Sequence, residues 1–200
     1  MNLDFLKLKK GSGNYIKRMR KRSGLITLLL FAIAALIFGA GIWYFKSRQN
    51  IMTVVAVLGV LPASRSLVNF IMFLKARPIL PERLGNIEKR LKGKNIPEEL
   101  FFFDSVLTVE GGKSYEVDFF ICINGFLLGL CKNEKAEAAL IEEHLKKYMK
   151  SNGIGSVNIK LFIKEKAFYS RLEELLAVYE PEGEQETEMK MMGLIGALSL

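Results

Sequence analysis

LITLLLFAIAALIFGAGIWYF, residues 25–45, is a run of twenty-one residues without a charged side chain. A helix of about 20 predominantly apolar residues is long enough to cross a lipid bilayer. A second apolar run, residues 51–74, follows after a gap of five residues. The two runs together predict a transmembrane helical hairpin. Because a second apolar run follows at once, a retained span is favoured over a cleaved signal peptide.

Positive charge flanks both outer ends of this predicted hairpin. Residues 1–100 contain 18 Lys and Arg against 5 Asp and Glu, whereas residues 101–200 contain 11 against 16. Basic residues next to a span favour the cytoplasmic side. We therefore predict a multi-pass protein of the cell membrane, of the bacterial inner-membrane type, with both ends cytoplasmic. The basic N-terminal segment is expected to contact anionic lipid head groups, and a nucleic-acid partner is disfavoured.

The composition changes along the chain predict four segments. They are a basic cytoplasmic segment (1–23), the transmembrane hairpin (24–77, with spans 25–45 and 51–74), a cytoplasmic α/β domain (78–179) and an acidic linker with an apolar tail (180–200). Twelve residues of the tail, 189–200, are too few to span a bilayer. Three roles stay open for the tail: it covers the sheet, lies on the membrane or mediates association.

Hydrophobic periodicity in the domain predicts the element order α-β-β-β-α-β-α. Asn124-Gly125 between two apolar runs is a strong hairpin signal, because both central residues of the turn take positive φ. Residues 118–123 and 125–131 are apolar on both faces, as in central strands covered on both sides. The fold class is thus a mixed sheet with flanking helices. The predicted helices cover residues 82–92, 134–150 and 166–179, and the predicted strands cover 100–109, 115–123, 126–132 and 157–163.

Arg65 lies within the second apolar run and is the first candidate functional residue. An arginine at bilayer depth marks a functional site by default, but a long side chain close to the boundary can reach the head groups. An interfacial arginine is therefore favoured over one inside an oligomeric bundle. The small-residue spacings Ala35-xxx-Gly39 and Gly59-xxx-Ala63 are expected to serve the packing of the hairpin itself.

Two aspartates, Asp104 and Asp118, fall inside apolar strands, where a buried carboxylate must be paired. Lys160, in the middle of the last strand, is a possible partner for them. Asp118 and Lys160 therefore join Arg65 as possible functional residues. Cys122 and Cys131 have no metal-ligand spacing, and free buried thiols in a reducing compartment are favoured.

Residues 82–163 have the predicted order α-β-β-β-α-β, with Asp118 on the second strand and Lys132 at the end of the third. This order resembles the PD-(D/E)XK nuclease-like fold. The resemblance implies a divalent metal held by an Asp and a Glu-x-Lys. Here Leu130 stands two residues before Lys132, where the carboxylate is expected. Counting outward from the turn also sets Asp118 opposite Cys131, so that Asp118 and Lys132 point to opposite faces. We therefore expect an inactive descendant.

The sequence contains no complete set of catalytic, metal-binding or cofactor-binding residues. We accordingly predict a domain that is not an enzyme, needs no cofactor and acts as a binding, scaffold or assembly module at the membrane. A protein partner or a second copy is expected at the sheet or at the C-terminal tail. The alternatives are a membrane-tethered nuclease-like enzyme and an accessory subunit of a transporter or channel that uses Arg65.

Overall fold

The computed structural model describes residues 10–46, 51–109, 113–132, 138–155, 157–180 and 185–199. Parts of the predicted basic segment (1–9), the linker (181–184) and the start of the second domain helix (133–137) lie outside these residues. The described residues form helices α1 (Tyr15–Phe45), α2 (Ile51–Lys75), α3 (Pro81–Lys92), α4 (Ala138–Ser151), α5 (Glu165–Ala177) and α6 (Glu186–Leu198), and strands β1 (Phe101–Thr108), β2 (Ser114–Ile123), β3 (Phe126–Cys131) and β4 (Asn158–Phe162).

The chain divides into two compact units. The helical unit, within Ile16–Arg77, contains α1 and α2, and the α/β unit contains described residues 10–15 and 78–199. The predicted fold class, two long apolar helices followed by a mixed sheet with flanking helices, is confirmed. Residues 10–14 join the α/β unit although they precede α1 in the chain. No local sequence signal predicts this.

Small and hydroxyl side chains line the contact between α1 and α2. Ala34, Ala56 and Ala63 are buried, and the Thr27 and Ser66 hydroxyls are hydrogen-bonded at 2.8 Å. Gly59 faces Ala34, in agreement with the predicted spacing on α2. The spacing predicted on α1 is wrong, since Ala35 and Gly39 are exposed. Buried positions 27, 34 and 41 instead recur every seven residues, the period that keeps one helix face against its neighbour.

Arg20 fixes the end of α2 against α1. Its guanidinium donates hydrogen bonds to the carbonyl oxygens of Phe73 at 3.2 Å, Leu74 at 3.4 Å and Ala76 at 2.8 Å. The last carbonyls of a helix have no partner within the helix, and a cation there also complements the helix dipole. A basic residue of α1 thus supplies the C-terminal cap of α2.

The four strands form one sheet in the order β1-β2-β3-β4. The pairs β1–β2 and β2–β3 are antiparallel, whereas β4 is parallel to β3. Asn124 and Gly125 take φ values of 52° and 72° in the β2–β3 turn, which confirms the predicted hairpin. Helix α4 makes the crossover that a parallel pair requires. The sheet is mixed, as predicted.

Both faces of the sheet are covered by helices of the same chain. On one face α4 and α6 contribute Ile141, Leu145, Met191 and Ile195 to the core. On the other face α3 and α5 contribute buried Ile87 and Phe168, among others. This explains why β2 and β3 are apolar on both sides. Cys122 and Cys131 are buried free thiols in this core, as expected.

The apolar tail covers the sheet, which was the first of the three predicted alternatives. Residues 186–198 form α6, a helix that begins inside the stretch predicted to be a linker and packs on β1 and β2. The Glu188 carboxylate accepts a hydrogen bond from Gly125 N–H at 2.9 Å. The tail is therefore part of the folded α/β unit.

Two short segments cover the outer edge of β1, which is an edge strand. Phe103 N–H donates to the Gly11 carbonyl oxygen at 2.8 Å, and Val106 N–H donates to the Ser199 hydroxyl at 3.2 Å. Lys10 joins the two segments, since its ammonium group lies 3.1 Å from the Ser199 carbonyl oxygen. Covering an edge in this way removes the unpaired backbone groups that promote strand-to-strand aggregation.

Replacing Ile195, a fully buried residue of α6, with Ala should destabilise the α/β unit by about 2–5 kcal/mol through the cavity it leaves. The thiols report this unfolding, because burial, together with the carboxylates of Asp118 and Glu142, raises the pKa of Cys131 to about 12. Thiol alkylation at pH 8 therefore requires opening of the unit. We expect faster alkylation in Ile195→Ala and little change in the control Met189→Ala, whose side chain is exposed. Equal alkylation rates in the two variants would contradict this role of α6.

Candidate functional site

A β-bulge in β2 places Asp118. Val117 pairs with Cys131 and Phe119 with Leu130, so β2 has one residue more than β3 at this point. A bulge of this kind rotates the extra residue out of the regular alternation. Asp118 then lies on the same side of the sheet as Phe119, toward α3 and α5, and is completely buried.

The predicted register is wrong beyond Phe119 for this reason. Counting from the turn correctly gave Ile123 opposite Phe126, but it did not include the bulge. Lys132 does not point away from Asp118. Its ammonium nitrogen lies 3.3 Å from Asp118 Oδ1. The two residues that carried the resemblance in the sequence therefore meet in the structure.

Arg83 of α3 is the second cation at Asp118. Its Nη1 donates to Asp118 Oδ2 at 2.6 Å, and its Nε donates to Glu165 Oε1 at 2.5 Å. Burial alone would lower the pKa of Arg83, but the hydrogen bonds to Asp118 and Glu165 raise it above its ordinary value. Glu165 is the first residue of α5, a position that favours a negative charge. One guanidinium thus joins α3, β2 and α5.

We call these residues, with Glu116, the Asp118 cluster; its members are Arg83, Glu116, Asp118, Lys132 and Glu165. Glu116 Oε2 lies 3.9 Å from the Lys132 ammonium nitrogen. A buried charge is tolerated only when it is paired, and Asp118 is paired with two cations. The arrangement is that of a structural ion network.

Asp104 lies directly opposite Asp118 on β1. The pairs Phe103–Phe119 and Ser105–Val117 leave these two aspartates facing each other across the strands. Asp104 has a φ of +54°, and its Oδ1 accepts a hydrogen bond from Ile79 N–H at 2.6 Å. Its carboxylate thus ties the segment before α3 to the sheet. Two buried carboxylates on adjacent strands both serve to attach α3.

Lys160 is not the partner of either aspartate, so this pairing is wrong. Its ammonium nitrogen lies 3.7 Å from Glu142 Oε1, and the side chain is 63% exposed. The same carboxylate oxygen of Glu142 accepts a hydrogen bond from Leu161 N–H at 2.8 Å. Lys160 therefore belongs to a surface contact between α4 and β4, where exposure limits its contribution to stability.

Sequence reasoning missed Arg83 and Glu165 in this cluster. A usable signal was present, since Arg83 precedes the buried Ile87 by four residues and so lies on the inward side of α3. No comparable signal identified Glu165, because its position depends on how the start of α5 meets the sheet.

Arg65 lies apart from this cluster, in the helical unit. Its side chain is exposed and lines a groove of about 370 Å³ between α1 and α2. Arg22, Ser66 and Asn69 line the same groove.

The α/β unit has a separate cleft of about 410 Å³. It lies among residues 10–13, the C-terminal end of α3, and the start of β1. Its lining combines apolar Leu91, Ile96 and Phe101 with charged Glu88 and Lys92. A concave surface that mixes apolar and charged groups is typical of sites that bind ligands or peptide segments.

Among the described residues, no group of three or more His, Cys, Asp or Glu side chains is placed so that it could hold a metal ion. No protein-family model matches the chain, and no curated protein or solved structure is significantly similar to it.

Removing the Asp118 carboxylate should leave the partly buried Arg83 and Lys132 with only Glu165 and Glu116 beside them. We expect Asp118→Ala to lower the free energy of unfolding of the α/β unit by about 3–5 kcal/mol. Glu173→Gln is the matched control, because Glu173 pairs with Arg90 on the same helices but is 60% exposed, and it should cost at most about 1 kcal/mol. Thiol alkylation of Cys122 and Cys131 under increasing denaturant measures both. Equal costs would show that the Asp118 cluster does not hold the unit together.

Proposed function

We propose that this chain is a two-span membrane protein whose α/β unit is a non-catalytic binding module held at the membrane surface. The apolar surface that α1 and α2 expose is the observation that supports a membrane anchor. Both helices are long and apolar enough to cross a membrane. Only 17% of the most apolar stretch of α1, and 11% of that of α2, is buried within the protein. Large apolar side chains such as Leu36, Trp43 and Leu61 are exposed. Lipid is the environment in which such a surface is stable.

The chain path supports placing both ends of the helical pair on one side. Residues 10–14, immediately before α1, and residues from Pro78, shortly after α2, belong to the same α/β unit. A folded unit of this kind lies on one side of a bilayer and not on both. The segment before α1 and the segment after α2 must then lie on one side. The distribution of Lys and Arg favours the cytoplasmic side.

The binding role is supported by how the α/β unit uses its charged and apolar residues. Asp118, one of the residues that carry the nuclease-like resemblance, is paired with Arg83 and Lys132. Both faces of the sheet are covered by the chain's own helices. The cleft beside residues 10–13 is a concave surface of the described α/β unit that is open to a partner. We therefore place partner binding at this cleft.

A photo-cross-linking residue at position 92 tests this assignment, because Lys92 lines the cleft near the end of α3. The matched control is the same residue at position 150, where an exposed Lys ends α4 away from the cleft. We expect the full-length protein to fractionate with membranes and to form one discrete adduct from position 92 but not from 150. Adducts of equal yield from the two positions, or recovery in the soluble fraction, would contradict the proposal.

The contact between Asp118 and Lys132 favours a second candidate, a nuclease-like enzyme. The element order α3-β1-β2-β3-α4-β4 is the order on which the resemblance rests. This candidate predicts cleavage of nucleic acid that depends on Mg²⁺ or Mn²⁺ and is lost in Asp118→Asn, with Glu173→Gln fully active. The binding module predicts no metal-dependent cleavage by the purified full-length protein.

A further inference from the structure

Two arginines from different helices line the groove between α1 and α2. Arg22 of α1 and Arg65 of α2 share it with Asn69, Ser23 and Ser66. The remaining lining is apolar and consists of Met19, Ile26, Pro62 and Phe73. The groove thus combines hydrogen-bond donors and two positive charges with an apolar wall.

The stretch of chain that forms this groove contains basic residues but no carboxylate. Residues 16–77 contain ten Lys and Arg and no Asp or Glu. Two guanidinium groups at one groove repel each other, and the repulsion increases as the surroundings become less polar. An anion bound between them would remove this repulsion. A guanidinium group also matches the oxygens of a phosphate in geometry and charge.

The register between α1 and α2 places the groove near the end of the apolar surface. Ser66 is hydrogen-bonded to Thr27, which is the third residue of the apolar run 25–45. At a rise of about 1.5 Å per residue, Thr27 lies only about 3 Å along the helix from Leu25. Arg65 precedes Ser66 and so lies close to the same level. On α1, this level is where the apolar run meets the basic residues 17–22, which in a membrane lie among the head groups.

We propose that the groove of Arg22, Arg65 and Asn69 binds the phosphate group of an anionic phospholipid, with the first part of an acyl chain against Ile26 and Pro62. This inference rests on the proposed membrane location. It deepens the earlier expectation that basic residues contact head groups, because it assigns a defined site for one lipid molecule. It also gives Arg65 a role that does not require an oligomeric bundle.

The test uses the purified full-length protein in an uncharged detergent. It is titrated with phosphatidylglycerol, with phosphatidylcholine of the same acyl chains, or with inorganic phosphate, and native mass spectrometry counts the bound molecules. We expect one molecule of phosphatidylglycerol to bind at least about tenfold more tightly than the other two, since only it offers both net charge and an acyl chain. Arg22→Gln and Arg65→Gln should each weaken the binding of phosphatidylglycerol by about tenfold, because each variant loses one charge-assisted contact.

Arg18→Gln is the matched control, since Arg18 is exposed on α1 outside the groove and carries the same charge. It should bind phosphatidylglycerol as the wild type does. Asn69→Asp is the second test variant, because it supplies the missing carboxylate inside the groove. It should lose phosphatidylglycerol binding while its melting temperature in uncharged detergent stays unchanged or rises, which separates loss of the site from loss of the fold.

Three results would overturn the site: equal binding of phosphatidylcholine or of inorganic phosphate, an equal loss in Arg18→Gln and Arg65→Gln, or full binding by Asn69→Asp. Membrane fractionation of the same variants separates this failure from failure of the proposed function. Variants that remain in membranes without lipid selectivity overturn only the site, whereas a wild-type protein recovered in the soluble fraction overturns both.

Discussion

The hydrogen bond from Phe103 N–H to the Gly11 carbonyl oxygen is the constraint on which the rest of the account depends. It holds the residues before α1 on the edge of a sheet whose strands all follow α2. Gly11 has a φ of +80°, and a Cβ there would come within 2.5 Å of the Phe102 ring, so glycine is required for this close approach. The chain segments that precede and follow the two long helices therefore belong to one α/β unit.

The second organising feature is the bulge at Asp118. By adding one residue to β2 it brings a carboxylate to the side of the sheet that α3 and α5 cover. Arg83 and Lys132 then neutralise the carboxylate, while Asp104 on the neighbouring strand binds the backbone of Ile79. Charge pairing at one irregular point of the sheet thus positions two helices.

Much of the fold follows from local sequence signals, and the candidate site does not. Two apolar runs, helical periodicity and the Asn124-Gly125 turn each act over a few residues, so they predict α1, α2, the hairpin and the element order. The bulge, the contact of Arg83 with Asp118 and the position of residues 10–13 depend on tertiary packing between distant parts of the chain. Register counted from a turn holds only until the first irregularity. The acidic first turn and the apolar remainder of α6 differ sharply in composition, so the sequence predicts a linker and a tail in place of one helix.

Topology mapping with an impermeant maleimide tests the central claim most directly. Single cysteines at positions 12, 44 and 152 suffice, because the native Cys122 and Cys131 are buried and unreactive while the unit is folded. The account predicts that position 44, near the far end of α1, is labelled on intact cells, whereas positions 12 and 152 are labelled only after the membrane is opened. Labelling of positions 12 and 152 from opposite sides, or of all three without opening the membrane, would contradict it.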